Sequence, residues 1–143
     1  MAGSSVTFTY DRGPGPIKRV IADWVSDDSA GTASGTTANK IIGRIVKAIT
    51  DPGATAPTAD YDITITDDEG VNVLTACDDD LADRHTSTTQ EVYFLVKDHA
   101  GTPLAQSVHP VVCSTLAVAI ANAGNSKVGQ LILFIEGEIH GSE

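Results

Sequence analysis

The sequence predicts an all-β chain, a β-sandwich or jelly roll of about seven to nine strands with an extended N-terminal arm. Two observations predict it. Short apolar runs repeat with period two, the side-chain period of a strand with one buried face. Clusters of Gly, Pro, Asn and Asp separate those runs at short intervals, which is turn chemistry. No convincing long helix competes with this pattern.

The clearest signal is Tyr61 to Leu74, YDITITDDEGVNVL. Tyr61, Ile63 and Ile65 alternate with Asp62, Thr64 and Thr66. Asp67-Asp68-Glu69-Gly70 interrupts the run, and Val71, Val73 and Leu74 resume it. Gly70 suits the positive φ that closes a short hairpin loop. A lone hairpin is marginal in water, so the rest of the chain is expected to cover Tyr61, Ile63, Ile65 and Val73.

In chain order, Val6, Phe8 and Tyr10 alternate with threonines and give a short strand, followed by Gly13-Pro14-Gly15-Pro16. The glycines add freedom and the prolines lack N–H groups, so residues 1–16 read as an arm able to pair with another subunit. In that reading Val6, Phe8 and Tyr10 are interface residues and the domain spans 17–143. The alternative is an ordinary first edge strand. Ile17 to Ser26 is a strand with Val20, Ala22 and Trp24 on one face, and Trp24 anchors the core. Asp27 to Thr37, with no large apolar residue, reads as an exposed flexible loop. Lys40 to Thr50 reads as a long strand with Ile41, Ile45 and Ile49 on one face and a bulge or bend at Gly43.

Asp51 to Asp60 is turn material. Thr75 to Arg84 reads as a loop with one helical turn, and Glu91 to Lys97 as a strand buried on both faces or covered by a loop. Leu104 to Val108 is a short strand candidate. Val111 to Ala121 reads as one strand, with Leu116, Val118 and Ile120 in the core. A turn at Ala123 to Lys127 leads to Gln130–Ile135, where Leu131, Leu133 and Ile135 lie opposite Ile132 and Phe134. Glu136 to Glu143 reads as a polar tail.

At 143 residues the chain fits one domain with a substantial core. No apolar run approaches a membrane span, and the N-terminus carries no secretory signal pattern. With 9 basic against 19 acidic residues the net charge is −10. That charge repels phosphate backbones, so nucleic acid is not an expected partner. Cys77 and Cys113 stand far apart in sequence, outside any CxxC motif. Reduced thiols are the default, with a bridge between them as the alternative, and Cys113 reads as core packing.

No motif carries catalysis. His85, His99, His109 and His140 lack zinc-binding spacing, and no GxSxG, P-loop or GxGxxG is present. Asp67-Asp68-Glu69 and Asp78-Asp79-Asp80 with Asp83 offer oxygens to a hard cation such as calcium, but not at EF-hand spacing. Solvated turns are the plainer reading, and no metal or cofactor is expected.

Three strings carry a resemblance: TDPGATAPTADYDITITDDEGVNVL (Thr50 to Leu74), LADRHTSTTQEVY (Leu81 to Tyr93) and STLAVAIANAGNSKVGQLILFI (Ser114 to Ile135). They resemble small virion structural proteins of tailed bacteriophages, most of all capsid cement (decoration) proteins. The resemblance implies a β-sandwich or jelly roll on the outside of the head, made in the bacterial host cytoplasm. Its implied partners are the major capsid protein and itself, as a dimer or trimer, with no catalytic residues. A head–tail neck or tail-associated protein is the alternative within the same virion. A calcium-dependent carbohydrate-binding module is the alternative outside it, and the low aromatic content, 5%, argues against sugar stacking.

Overall fold

The computed structural model describes residues 4–75, 77, 81, 84, 88–94, 96, 100 and 109–140. Among these are nine strands and no helix: β1 (Ser5–Asp11), β2 (Ile17–Val25), β3 (Ala33–Thr36), β4 (Lys40–Pro52), β5 (Asp62–Thr66), β6 (Gln90–Tyr93), β7 (Val111–Ser114), β8 (Ala117–Ala121) and β9 (Val128–His140). Six form an antiparallel sheet in the order β1-β2-β9-β4-β6, with β7 also pairing β4. The other three form a second antiparallel sheet, β3-β8-β5. The sheets enclose one core, so the chain is a β-sandwich.

The alternation read from the sequence decides what fills that core. Val20, Ala22 and Trp24 from β2, Ile63 and Ile65 from β5, Val118 and Ile120 from β8, and Leu131, Leu133 and Ile135 from β9 are all buried, as is Leu116. Fully burying one such side chain contributes roughly 1.5–3 kcal/mol. The Trp24 and Tyr61 rings meet at 5.5 Å between centroids, tilted by 50°, a favourable aromatic geometry.

The β4–β9 ladder runs the length of the large sheet and carries two irregularities. Gly43 sits opposite Gly137, with φ of 140° and 152° respectively. A Cβ on either residue would collide with the carbonyl of the strand opposite, at Glu136 or Ile42, so only glycine permits this approach. Beyond it the register shifts between Ile45 and Lys47, a bulge at Val46. The sequence reading placed the bulge at Gly43 and aligned Ile49 with Ile41 and Ile45. The bulge reverses the parity, so Ala48 and Thr50 point inward while Ile49 faces out, half-buried.

Residues 5–11 are not a separate arm. All seven pair with β2, from Ser5↔Val25 to Asp11↔Arg19. The Gly-Pro-Gly-Pro segment is the hairpin connection, and its free carbonyls are used. The Lys18 ammonium, which is buried, donates to the carbonyl of Gly13 at 2.8 Å and also to that of Gly15. The Gly137 N–H donates to the Pro16 carbonyl at 3.0 Å. The edge-strand alternative therefore describes this segment, and the boundary expected at residue 16 falls inside a hairpin.

Other segments differ for equally local reasons. The Asp27–Thr37 loop contains β3, whose small residues let β1 lie close over it: a Cβ on Gly35 would come within 2.9 Å of Val6 Cβ. Asp27 orders the rest of that loop, its Oδ1 accepting from the N–H groups of Ala30 and Gly31 at 2.7 and 2.6 Å. Val111 to Ala121 is two strands, β7 in the large sheet and β8 in the small one, with Leu116 buried at the corner between them. Val112 and Ser114 take the inward positions of β7, leaving Cys113 exposed instead of in the core. Cys77 is the buried cysteine, and no disulfide joins the two.

In β6, Val92 is buried while Glu91 and Tyr93 are exposed, so this strand is one-sided. The expected polar tail continues β9 to His140, with Ile139 buried. The Tyr61–Leu74 hairpin turns at Gly70, with φ 81°. Its return is short, ending in a Thr66↔Asn72 bridge and a Val73 N–H to Ile65 carbonyl bond of 3.0 Å. The helical turn expected in 75–84 falls mostly outside the described residues, and the strand expected at Leu104 to Val108 falls outside them entirely.

Two outcomes follow. Ile65→Asp places an unpaired charge in the core and is expected to abolish folding, whereas exposed Thr64→Asp should stay within about 0.5 kcal/mol of the parent in denaturant unfolding. Equal tolerance at both positions would overturn the register. Deletion of residues 1–11 removes β1 and uncovers β2 and β3 together. It is expected to prevent folding or lower the melting temperature steeply by circular dichroism. A truncated protein melting within a few degrees of the full chain would restore the separate arm.

Candidate functional site on the outer face of the large sheet

The residues expected to make interfaces, Val6, Phe8 and Tyr10, point inward and pack half-buried against the core. The Tyr10 hydroxyl accepts from the Ala38 N–H at 3.1 Å. What β1 presents outward is Ser5, Thr7, Thr9 and Asp11. Trp24, Ile63, Ile65, Leu116, Val118, Ile120 and Leu133 are all core residues, so none of them forms a surface site.

The surface with chemical character is the outer face of the six-stranded sheet. Strand register arranges it in rows across the strands. One row runs Thr9, Ile21, Ile132, Ile49 and Glu91. The next runs Asp11, Arg19, Phe134, Lys47 and Tyr93, and a third runs Ile17, Glu136, Arg44 and Val111. Ile17, Tyr93 and Val111 are 48%, 55% and 73% exposed. The face is thus an apolar band with charges among and beside it.

Those charges are paired. Arg19 holds Asp11 through Nε and Nη2, at 3.1 and 3.0 Å from the same carboxylate oxygen. Lys47 Nζ lies 2.7 Å from Glu91, 4.7 Å from the centre of the Phe134 ring and 5.4 Å from that of Tyr93. A cation over two aromatic faces is attracted by both quadrupoles. The hydrogen bond from Lys47 to Glu91 raises the lysine pKa above its ordinary value. Arg44 lies 3.6 Å from Glu136.

At one end of this face a groove of about 390 Å³ opens over β2, β9 and β4. Its polar row is Thr7, Asp23, Gln130 and Asp51. Gln130 Nε2 donates to Asp23 at 2.8 Å, and the Thr89 hydroxyl donates to Asp51 at 3.1 Å.

Among the described residues no three His, Cys, Asp or Glu side chains come together as a metal-holding group. Asp67 in the β5 turn accepts from the N–H groups of Glu69 and Val71, each at 3.0 Å, so this carboxylate organises its own turn. Asp78, Asp79, Asp80 and Asp83 lie outside the described residues, as do His85 and His99. His109 Nδ1 lies 2.6 Å from the Phe94 carbonyl.

Sequence reasoning missed the outer face as a site. The signal was the two-sided apolar run of β9, where Ile132 and Phe134 stand opposite the core residues. The bulge at Val46, which brings Lys47, Ile49 and Asp51 onto the same face, carries no sequence mark of its own. No protein-family model matches the chain, and no curated protein matches it.

The hydrogen bond from Arg19, then that from the Gly13 N–H, lowers the Asp11 pKa from 3.8. A depressed folded-state value contributes stability that is complete above the unfolded value and is lost as pH falls through the folded one. Asp11→Asn removes that contribution. The melting-temperature gap between parent and variant is expected to hold at neutral pH and shrink as pH falls below 3.8. A gap independent of pH would show that the pair does not couple to folding.

Proposed function

We propose that this protein is a capsid cement protein of a tailed bacteriophage, bound to the outside of the head and clamping neighbouring major capsid subunits. The observation that carries the reading is the outer face of the six-stranded sheet. It sets exposed Ile17, Tyr93 and Val111 beside half-buried Ile21, Ile49, Ile132 and Phe134 and among paired charges. Apolar area rimmed by polar groups is the usual character of a protein-binding surface. The virion-like strings from Thr50 to Ile135 support the same context, and a net charge of −10 favours a basic protein partner over nucleic acid.

The mechanism is distributed stabilisation. Each copy contributes a modest contact, and capsid symmetry repeats it. A ligand that binds only the assembled shell stabilises that shell by mass action. The same face serves self-association as a dimer or trimer around a capsid axis.

Copy number in purified virions tests the proposal. A cement protein is expected in a stoichiometry comparable to that of the major capsid protein. A copy number fitting a single ring would place it at the neck instead, and absence from virions would overturn the reading. Tyr93→Asp and Val111→Asp alter exposed positions, so both variants should melt near the parent. Each is expected to weaken binding to expanded empty capsids about tenfold or more, roughly 1.4 kcal/mol. Unchanged capsid binding in both would move the contact off this face.

A further inference from the structure

We propose that the groove at the β2–β9–β4 end of the large sheet is a binding site for an arginine side chain of a partner protein. This goes beyond the virion reading and does not depend on it, because the occupant is defined by the chemistry of the groove.

Three properties of the groove converge. The first is charge. Asp23 and Asp51 both stand opposite Gln130 on the central strand, one on either side. They are two strand spacings apart, roughly 9–10 Å. Each carboxylate accepts from a neutral donor, Asp23 from Gln130 and Asp51 from Thr89, and neither forms an ion pair with a described residue. Elsewhere on the outer face Asp11, Glu91 and Glu136 pair with Arg19, Lys47 and Arg44, and exposed Glu138, at the far end of β9, forms no ion pair with a described residue. In the groove two carboxylates without a cation from the described chain flank a single strand.

The second property is the acceptor pattern. With Gln130 Nε2 committed to Asp23, its Oε1 remains an acceptor between the two carboxylates. The row therefore offers acceptors on three adjacent strands. A guanidinium carries five N–H donors in a planar fork and no acceptor, which matches a row of acceptors better than a compact ammonium does.

The third property is shape. Val25, Val128 and Pro52 supply apolar wall beside the polar row. An arginine stem packs on apolar surface while its head reaches polar partners. At the end of that wall Val128 packs directly on the backbone of Gly53, where a Cβ would collide with the Val128 side chain. About 390 Å³ lies within the range of roughly 300–1,000 Å³ typical of small-ligand sites and exceeds what one side chain needs.

The test is a titration of the full chain, followed by amide chemical shifts, with N-acetyl-arginine amide and with its uncharged citrulline counterpart. The arginine probe is expected to give saturable shifts centred on Asp23, Gln130 and Asp51. The citrulline probe should bind at least about tenfold more weakly, since it lacks the charge that makes these hydrogen bonds strong. Added salt should weaken the arginine probe alone. Asp23→Asn with Asp51→Asn should remove the difference between the probes. Equal binding of both probes, shifts centred elsewhere, or no saturable shift would each overturn the proposal. The comparison of probes on the parent chain decides it even where the double variant fails to fold.

Discussion

The pairing of β4 with β9 is the constraint on which the rest of the structure depends. Each strand is thirteen residues long, and together they form the centre of the large sheet. At Gly43 and Gly137 the backbones approach more closely than any side chain allows. At Val46 one extra residue resets the parity of β4. Were β4 regular through Val46, with no bulge, Lys47 and Asp51 would point between the sheets, and burying an unpaired charge there would cost a large part of the domain's stability. With the bulge, small Ala48 and Thr50 take the inward positions, and the charges stay in water. A local backbone irregularity thus separates the dry face from the wet one.

The same irregularity composes the outer face. It brings Ile49 alongside Ile132 and Ile21, sets Lys47 over Phe134, and places Asp51 in the groove with Gln130 and Asp23. Core and surface are therefore not independent designs. The bulge that keeps charge out of the core also builds the apolar band and the acidic groove.

Closure at the β1 side shows the competing roles of small residues. Glycine and proline in 13–16 suggested a loose joint, and the absence of large apolar groups in 27–37 suggested an exposed loop. Both inferences treat the backbone as lacking partners. Here Lys18 and Gly137 bond the turn carbonyls, and Ala33 to Thr36 pair with β8 beneath β1. The Thr37 hydroxyl then donates to the Asn39 carbonyl and accepts from the Leu116 N–H, each at 2.9 Å, satisfying a buried polar group at the strand end. Small side chains mark close approach as readily as freedom, and local sequence does not distinguish the two.

Legibility followed the range of the physics. Period-two alternation is local, so Tyr61, Ile63 and Ile65, or Leu131, Leu133 and Ile135, declared strand and inward face from the sequence. Turn chemistry is local too, and Gly70 and the Ala123–Lys127 segment read correctly. The sequence by itself determined an all-β chain, most of its inward-facing residues and its acidic surface, because each follows from neighbouring residues or from composition. Only the tertiary structure decided that β1 belongs to the sandwich, that Val111 to Ala121 turns from one sheet into the other, and that Val46 bulges. It alone brought Asp23, Gln130 and Asp51 into one row. Those features depend on which strand lies beside which, and that is set by contacts between residues up to about a hundred positions apart, such as Asp23 with Gln130.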